Sequence, residues 1–421
     1  MSRLNLELYG TKLGTLTKKD LPGTENFSFE VLPSVYQDYP LSSTIMSLAV
    51  PLNMQFSAQQ KKRFNNFFSE LLPEGRNLNW LLWALPPNEQ NTYGLLRKYG
   101  KDSAGALTIY DPDDPTSSKQ PKLEELTKEQ VCYLLEHMPE APLANSPVSG
   151  KVSLGGVQGK ILLVKKGSRW CRAHFGYPST HILKPVTTDY PTIIYDEAFC
   201  MHLAYKVGLT THPVWIESFD GTDALVIERF DRDQSIVGGR IHQEDFNQAL
   251  GLRGNQKYQE SGGRVTAKRI AQTLQRFGSD EDVRGFASQL VFAAAIGNLD
   301  MHAKNISIFH YPDESIALSP TYDQVPLRHQ NTDGRLALAL GGEYVHANLT
   351  KANIRTELLS WKSPAFPNEA ITSTFIEELL ETCQSALSDL SPVEGAYPLL
   401  REEISTFITN LLSNRPTGKH P

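Results

Sequence analysis

The chain has 421 residues, 40% of them hydrophobic and 21% charged, which is typical of a folded protein with two or three domains. Its 41 basic and 47 acidic residues give a net charge of -6. Neutralising phosphates needs a basic surface, so this composition disfavours a protein that binds nucleic acid by itself.

The cysteines are far apart and form no C-x-x-C pair, so neither a disulfide framework nor a zinc site is predicted. We expect buried free thiols in a reducing cytosol. The first residues turn polar without an apolar signal region, and no run approaches the roughly 18 apolar residues of a membrane helix. The sequence predicts a cytoplasmic protein without membrane contact. The four cysteines are Cys132, Cys171, Cys200 and Cys383.

The first 145 residues read as strands followed by helices. Alternating apolar residues predict strands at 4–8 and 27–31, with 47–52 as a further strand closing the sheet. A Pro-rich link at 139–142 then predicts a domain boundary near residue 145. The predicted helices of this N-terminal α/β domain span 58–72, 77–85 and 127–137.

The remainder divides into a strand-rich stretch and a helical one. After a glycine-containing turn, residues 146–235 contain predicted strands and one helix at 196–207, which ends before Gly208. Helices dominate 236–412, interrupted by a hairpin at 306–319, and residues 413–421 are expected to form a flexible tail. The predicted strands of the first stretch lie at 161–164, 180–185 and 224–230.

The segment from Gly297 to Asn305 carries the most informative spacing. Asp300 and Asn305 are five residues apart, as are the Asp and Asn of a protein-kinase catalytic loop. There, Asp300 would accept the proton of the attacking hydroxyl and Asn305 would bind Mg²⁺. Lys304 would meet the charge of the transferring phosphoryl group, and His302 would brace the loop. Taken alone, the spacing also fits a polar turn between a helix and a strand.

A second acid follows the predicted hairpin. Asp323 occupies the position of the Asp in the kinase D-F-G motif, although Tyr322-Asp323-Gln324 replaces that motif here. Asp323 and Asn305 together would offer oxygen ligands, which suit Mg²⁺. The simpler interpretation of Asp323 is a turn former.

Upstream residues have the types that ATP binding requires. Glycines let backbone N–H groups approach phosphate oxygens, and Lys184 could hold the α- and β-phosphates with Glu197 as its ion-pair partner. A hairpin turn and a solvated lysine are the plainer alternatives. The predicted phosphate loop consists of Ser153, Leu154, Gly155, Gly156, Val157 and Gln158.

A hinge is expected after the strand at 224–230. The backbone of Glu228, Arg229 and Phe230 would be available to the adenine, although an ordinary edge strand would look the same. These features follow one another in the order found in a kinase, namely a glycine turn, a lysine, an acidic helix, a hinge, the Asp-x4-Asn loop and a second Asp. Their agreement favours an enzyme that uses ATP and Mg²⁺.

The sequence resembles the HipA-type kinases, the toxin halves of bacterial toxin–antitoxin modules. The resemblance rests on several segments that match in order, and above all on the Asp-x-His-x-Lys-Asn form of the catalytic loop at 297–305. The other segments are 68–75, which resembles the family's leucine-leucine-proline-glutamate-glycine stretch, 153–160, the strand at 180–185, and 228–232. It implies an α+β fold with a two-lobed protein-kinase-like core behind the N-terminal domain. The small lobe would span 146–235 and the helical large lobe 236–412.

The resemblance also implies function. The chain would be a protein serine/threonine kinase that phosphorylates a component of translation, such as an aminoacyl-tRNA synthetase, and autophosphorylates at Ser153. Its partner would be a helix-turn-helix antitoxin, through which the complex would bind operator DNA. Leu299 and Met301 depart from the family pattern beside Asp300. A catalytically weak nucleotide-binding co-repressor and a small-molecule kinase remain as alternatives.

Overall fold

Four sheets and the helices packed on them form an N-terminal domain, a strand-rich small lobe and a helical large lobe in this computed structural model, which describes residues 2–19 and 27–418. The predicted α+β architecture with a two-lobed core is confirmed. None of the described helices combines the length and apolar character needed to cross a membrane. Short 3₁₀ turns lie at Pro33–Gln37, Pro87–Glu89, Val237–Gly239, Gly254–Lys257, Ala303–Asn305 and His346–Asn348.

The N-terminal domain is one antiparallel sheet with three helices packed against it. Its elements are β1 (Arg3–Leu8), β2 (Thr11–Lys18), β3 (Phe27–Val31), α1 (Ala58–Glu70), α2 (Gly75–Trp83), α3 (Thr92–Tyr99) and β4 (Thr108–Tyr110). The strand order is β3-β2-β1-β4. Phe27 and Phe29 meet Phe68 of α1 edge-on, with ring centroids 5.9 and 5.7 Å apart. Aromatic packing therefore fixes the helix on the sheet.

Residues 47–52 do not form the predicted strand. The sheet is instead completed by β4, which pairs with β1. The segment is irregular backbone in which the Leu52 N–H donates to the Ser43 carbonyl at 2.8 Å, and both Val50 and Leu52 are buried. Apolar spacing indicated burial correctly here, but it cannot show whether a partner strand lies alongside.

The small lobe is a six-stranded antiparallel sheet with two helices. Its elements are β5 (Lys122–Leu126), α4 (Lys128–Glu136), β6 (Ile161–Lys166), β7 (Arg169–His174), β8 (His181–Pro185), α5 (Ile193–Lys206), β9 (Val214–Phe219) and β10 (Thr222–Glu228). The strand order is β5-β7-β6-β8-β10-β9. Neighbouring antiparallel strands place β8 beside β10, so the end of β10 leaves the sheet near the start of β8.

The predicted domain boundary near residue 145 does not match the strand pairing. β5 pairs along its whole length with β7, and α4 packs near β8 and β9. Residues 122–136 therefore lie on the sheet of the small lobe, and the boundary falls ahead of Lys122. The Pro-rich link marks a connection inside this lobe, a distinction that local composition cannot make.

The large lobe is built around α8, a helix that is buried along most of its length. Ser279 caps its start by accepting from the Asp282 N–H, and Gly297 ends it with a φ of +71°. The chain then enters the catalytic loop. The elements of this lobe are β11 (His242–Asp245), α6 (Phe246–Ala249), α7 (Ala267–Phe277), α8 (Asp280–Ile296), β12 (Ser307–His310), β13 (Ile316–Leu318), β14 (Arg335–Leu340), β15 (Glu343–Val345), α9 (Lys351–Ser360), α10 (Glu369–Asp389) and α11 (Leu400–Leu412).

The end of the chain is ordered as far as it is described. Thr417 is fully buried, and its N–H donates to the Leu349 carbonyl at 3.0 Å. The Gly418 N–H donates to the Ala347 carbonyl at 3.2 Å. The expectation of a flexible tail is therefore wrong for Thr417 and Gly418, because their backbone N–H groups bond to carbonyls of the large lobe. Residues 419–421 lie outside the described part.

A buried ionic network joins the end of β10 to the N-terminal domain. The Arg229 guanidinium donates to Asp231 at 2.7 Å and to the Ser103 carbonyl at 2.9 Å. Arg232 pairs with Asp102 at 2.8 Å. Burial alone would raise the pKa of Asp231, but the two guanidinium groups lower it below its ordinary value. Buried charges and hydrogen bonds therefore hold the N-terminal domain against the end of β10.

Replacing Arg229 should destabilise the protein strongly. Arg229→Leu would leave the buried Asp231 carboxylate with half of its compensating charge. Removing one partner of a buried ion pair costs about 3 kcal/mol or more. We expect a loss of that size in the free energy of unfolding measured by urea denaturation. As a control, Arg169→Leu removes an exposed pair with Glu125 and should change little. Equal stability of the two variants would contradict this role of the network.

Candidate active site

The predicted catalytic loop, residues 297–305, is held by its own polar groups. The Asp300 N–H donates to Asn298 Oδ1 at 2.9 Å, and the Asp300 carbonyl accepts from the Asn305 side-chain Nδ2 at 2.9 Å and from the His302 N–H at 2.8 Å. With Nδ2 engaged in this way, Oδ1 of Asn305 is left to accept a proton donor or bind a cation. The five-residue spacing thus closes a compact loop, as the sequence predicts.

The Asp300 carboxylate lies at the edge of the site, partly exposed. The Tyr258 hydroxyl donates to its Oδ1 at 3.1 Å. Burial and the neighbouring Asp323 carboxylate raise the pKa of Asp300 to about 6, against the stabilising hydrogen bond from Tyr258. A carboxylate in this range is ionised at neutral pH and can accept a proton.

His302 lies beneath the loop, as a bracing residue would. Its ring meets the Tyr258 ring edge-on at 5.1 Å, and its Nε2 lies 3.8 Å from Asp300 Oδ2. Burial lowers the pKa of His302 to about 3, with the nearby Lys257 charge acting in the same direction. The imidazole is therefore neutral at physiological pH and supports the loop by packing.

Lys184, Glu197 and Asp323 form the ionic centre of the site. The Lys184 Nζ donates to both Glu197 oxygens at 2.8 and 2.9 Å and to Asp323 Oδ1 at 2.5 Å. Burial opposes the charge on Lys184, but the two carboxylates raise its pKa above the ordinary value. The three residues come from β8, α5 and the segment after β13, so the fold brings together the predicted lysine, its predicted partner and the second acid.

The glycine loop runs beside this centre. The Lys160 Nζ donates to the Gly155 carbonyl at 2.5 Å. Burial and the nearby Lys184 charge lower the pKa of Lys160 to about 8. Gly156 has a φ of +102°, and a Cβ there would lie 2.5 Å from the Lys160 Nζ. Only glycine fits this close approach without displacing the lysine.

Ser153 is buried at the start of the glycine loop, with 1% of its surface exposed. Its hydroxyl donates to the Leu71 carbonyl at 3.3 Å, and its N–H donates to the Asp102 carbonyl at 2.8 Å. Farther along, the Gly156 carbonyl accepts from the Glu74 N–H at 3.2 Å. The N-terminal domain therefore contacts the predicted phosphate loop directly.

Lys304 has partners that the sequence does not predict. Its Nζ lies 2.8 Å from Glu70 Oε2 and 2.7 Å from Glu74 Oε1, both in the N-terminal domain, and the side chain is buried. Lys257 also pairs with Glu74 at 3.0 Å. Burial opposes ionisation of Glu74, but Lys304 and Lys257 lower its pKa to about 2. The Lys304 ammonium is thus bound by two carboxylates beside the catalytic loop.

The hinge residues divide into structural and site-facing groups. The N–H groups of Glu228 and Arg229 donate to the Pro213 and Thr180 carbonyls at 3.2 and 2.9 Å, so these two amides are not free for adenine. The Arg229 side chain points into the buried network described above. Phe230 packs on Tyr322, with ring centroids 5.2 Å apart, and lies beside the site.

The residues present fit an ATP molecule and a Mg²⁺ ion. Asn305 and Asp323 offer amide and carboxylate oxygens, the hard ligands that Mg²⁺ prefers. Lys184 and the glycine loop supply N–H donors for phosphates. Lys160 adds a second buried ammonium close to Lys184, an unfavourable arrangement that phosphate oxygens would relieve.

Local sequence does not predict four of the residues that contribute to the site. Glu70 and Glu74 lie within residues 68–75, a stretch that carries part of the family resemblance, and this resemblance is the signal that points to them. Lys160 directly follows the glycine turn, where a buried lysine can be suspected. Tyr258 precedes Asp300 by 42 residues, and no motif links the two.

Two family models match the chain. The HipA N-terminal domain matches residues 4–110 and the HipA-like C-terminal domain matches residues 152–388. Y4mE of Sinorhizobium fredii, a candidate kinase, is 33% identical over 313 residues, covering 72% of each chain. The serine/threonine-protein kinase toxin HipA of Shewanella oneidensis is 28% identical over 330 residues, covering 73% of each.

The fold has a solved counterpart. HipA in the complex of HipA, HipB and operator DNA from Shewanella oneidensis superposes with a TM-score of 0.75 at 23% identity, covering 98% of this chain and 96% of that one. This likeness confirms the fold. The matching C-terminal model covers more than half of the chain, and with Y4mE it shows that the protein belongs to the HipA family of kinases.

Proposed function

We propose that the chain is an ATP- and Mg²⁺-dependent protein serine/threonine kinase and the toxin of a toxin–antitoxin module. The observation that carries the proposal is the convergence of Lys184, Glu197 and Asp323 beside the loop of Asp300 and Asn305. These residues come from distant parts of the chain, and together they supply a phosphate-binding cation, oxygen ligands for a metal and a proton acceptor. A segment that only formed a turn would not need these distant residues to lie together.

In the proposed reaction, the acceptor hydroxyl oxygen attacks the γ-phosphorus of ATP and the bond to the β-phosphate oxygen breaks, releasing ADP. Asp300 orients the hydroxyl and takes its proton. Lys184 and the glycine loop position the phosphates, and Asn305 and Asp323 would bind Mg²⁺. When bound, the ion would neutralise charge on the phosphate oxygens. Positioning and electrostatics supply most of the acceleration in such transfers.

Ser153 is the proposed autophosphorylation site. Its hydroxyl is buried against Leu71, so the loop must leave the N-terminal domain before the serine can accept a phosphoryl group. A phosphate on Ser153 could not return to that position, because its charge would be buried without a cation partner. Autophosphorylation would therefore keep the glycine loop away from the nucleotide.

The proposed partners follow from the family. The solved relative is bound to HipB and operator DNA, which supports a helix-turn-helix antitoxin for this chain and DNA contact mainly through it. The acidic balance of the chain agrees with leaving most phosphate contacts to a partner. A component of translation is the proposed protein substrate.

Incubation of the purified chain with ATP and Mg²⁺, followed by intact mass and peptide mapping, tests the activity. We expect one added phosphoryl group at Ser153 and none in Asp300→Asn, which keeps the shape of the side chain but cannot accept the proton. ATP binding by Asp300→Asn, measured by calorimetry, serves as the folding control. ATP binding without any transfer by the unaltered chain would favour the co-repressor alternative.

The Glu74 contact with Lys304 should contribute to catalysis. Glu74→Gln removes one of the two carboxylates on the lysine, and we expect kcat to fall about tenfold, since a charge-assisted hydrogen bond contributes roughly 1.5–3 kcal/mol. Combining it with Lys304→Met should cost little further kcat beyond Lys304→Met alone, because the effect of Glu74 on kcat is expected to pass through its contact with Lys304. Glu89→Gln, at a partly exposed pair in the same domain, is the matched control. Additive losses would show that Glu74 acts independently of Lys304.

A further inference from the structure

A cavity of about 290 Å³ opens beside the Asp300 carboxylate. One wall is apolar and includes Leu299 and Leu336, both buried apart from the face they turn to the cavity. This wall is fixed to the catalytic loop, because the Ala337 N–H donates to the Leu299 carbonyl at 2.9 Å. The proposed proton acceptor and an apolar surface therefore have a fixed relative position.

The lining of the cavity also carries negative charge. Glu260 and Asp333 line it together with Asp300, and Arg335 is the one guanidinium among the lining residues. Arg335 is already paired with Glu260, at 3.1 Å from its Nε, and its guanidinium lies 5.1 Å from the centre of the Tyr344 ring. Three carboxylates against one bound cation leave a negative potential next to the reacting hydroxyl.

The chain's own proposed acceptor segment has the complementary chemistry. Lys151 precedes Ser153 by two residues, and Leu154 follows it. In an extended segment, residues two apart point to the same side and the next residue points to the other. Lys151 and Ser153 would thus face one side of a groove while Leu154 faces the opposite one. That division suits a cavity lined by both carboxylates and apolar side chains.

We propose that this cavity binds the acceptor segment of the protein substrate and selects its sequence. A lysine or arginine two residues before the acceptor hydroxyl lies toward Glu260 and Asp333. An apolar residue directly after it packs on Leu299 and Leu336. The assignment rests on the proposed kinase function and adds the substrate class to it, namely an extended segment of the form basic-x-Ser/Thr-apolar.

Peptides spanning residues 149–158 test the selection, with Ser149→Ala leaving one serine. Using the full-length chain with ATP and Mg²⁺, we expect Lys151→Glu in the peptide to lower kcat/KM about tenfold, mainly through KM, since a basic side chain would be replaced by one that the carboxylates repel. Leu154→Asp in the peptide should have a similar effect, because it would place a charge on the apolar wall.

The enzyme variant Glu260→Gln/Asp333→Asn should lose most of its preference for the peptide that keeps Lys151. We expect the ratio of kcat/KM between this peptide and the Lys151→Glu peptide to fall to about twofold. Glu381→Gln, at an exposed site on α10, should keep the tenfold preference. If the double variant fails to bind ATP, Asp333→Asn alone replaces it, because Asp333 is exposed and its loss should not affect folding.

The outcomes separate the two proposals. Phosphorylation of all peptides at equal rates, or self-phosphorylation at Ser153 without any peptide phosphorylation, would overturn the acceptor assignment and leave the kinase function standing. ATP binding with no transfer to the peptides, to the chain itself or to a general protein acceptor would overturn the kinase function, and the acceptor assignment with it.

Discussion

The ion pairs of Lys304 with Glu70 and Glu74 connect the N-terminal domain to the catalytic loop. An ammonium buried beside a reaction centre needs carboxylate partners, because its loss of hydration would otherwise cost several kcal/mol. Both partners come from a segment more than 200 residues away in sequence, with a separation of 234 residues for Glu70. The kinase core therefore does not balance the charge of Lys304 by itself, and the N-terminal domain contributes to the proposed active site.

The same segment also contacts the glycine loop. Between Glu70 and Glu74, the Leu71 carbonyl accepts from the Ser153 hydroxyl, and the Glu74 N–H donates to Gly156. One turn of the N-terminal domain thus touches both the loop expected to cover the phosphates and the loop expected to orient the acceptor. Movement of the glycine loop away from the N-terminal domain breaks neutral hydrogen bonds, whereas movement of Lys304 would break buried ion pairs. The first change is the less costly one.

The sequence predicted those features that depend on residues close together in the chain. Residue type and spacing predict roles for the loop at 297–305, Lys184 and Asp323, and the structure brings Lys184 and Asp323 into contact. The strand at 47–52 and the domain boundary near residue 145 failed because strand pairing joins distant segments that composition cannot pair. The partners of Lys304 and the docking of Thr417 were missed for the same reason, since each depends on contacts over long sequence separations.

The hydrogen bonds of Lys184 indicate how Lys184, Glu197 and Asp323 could be arranged both without a nucleotide and with one. Its three N–H donors are directed to two Glu197 oxygens and one Asp323 oxygen. The Glu197 side chain is 1% exposed and Asp323 is 37% exposed, so the bond to Asp323 is the one that solvent or a phosphate oxygen can replace. Such an exchange would keep the lysine charge compensated while releasing Asp323 to bind a cation with Asn305. A nucleotide that replaced Asp323 at the lysine would then favour cation binding, because both Asp323 oxygens would be available instead of one.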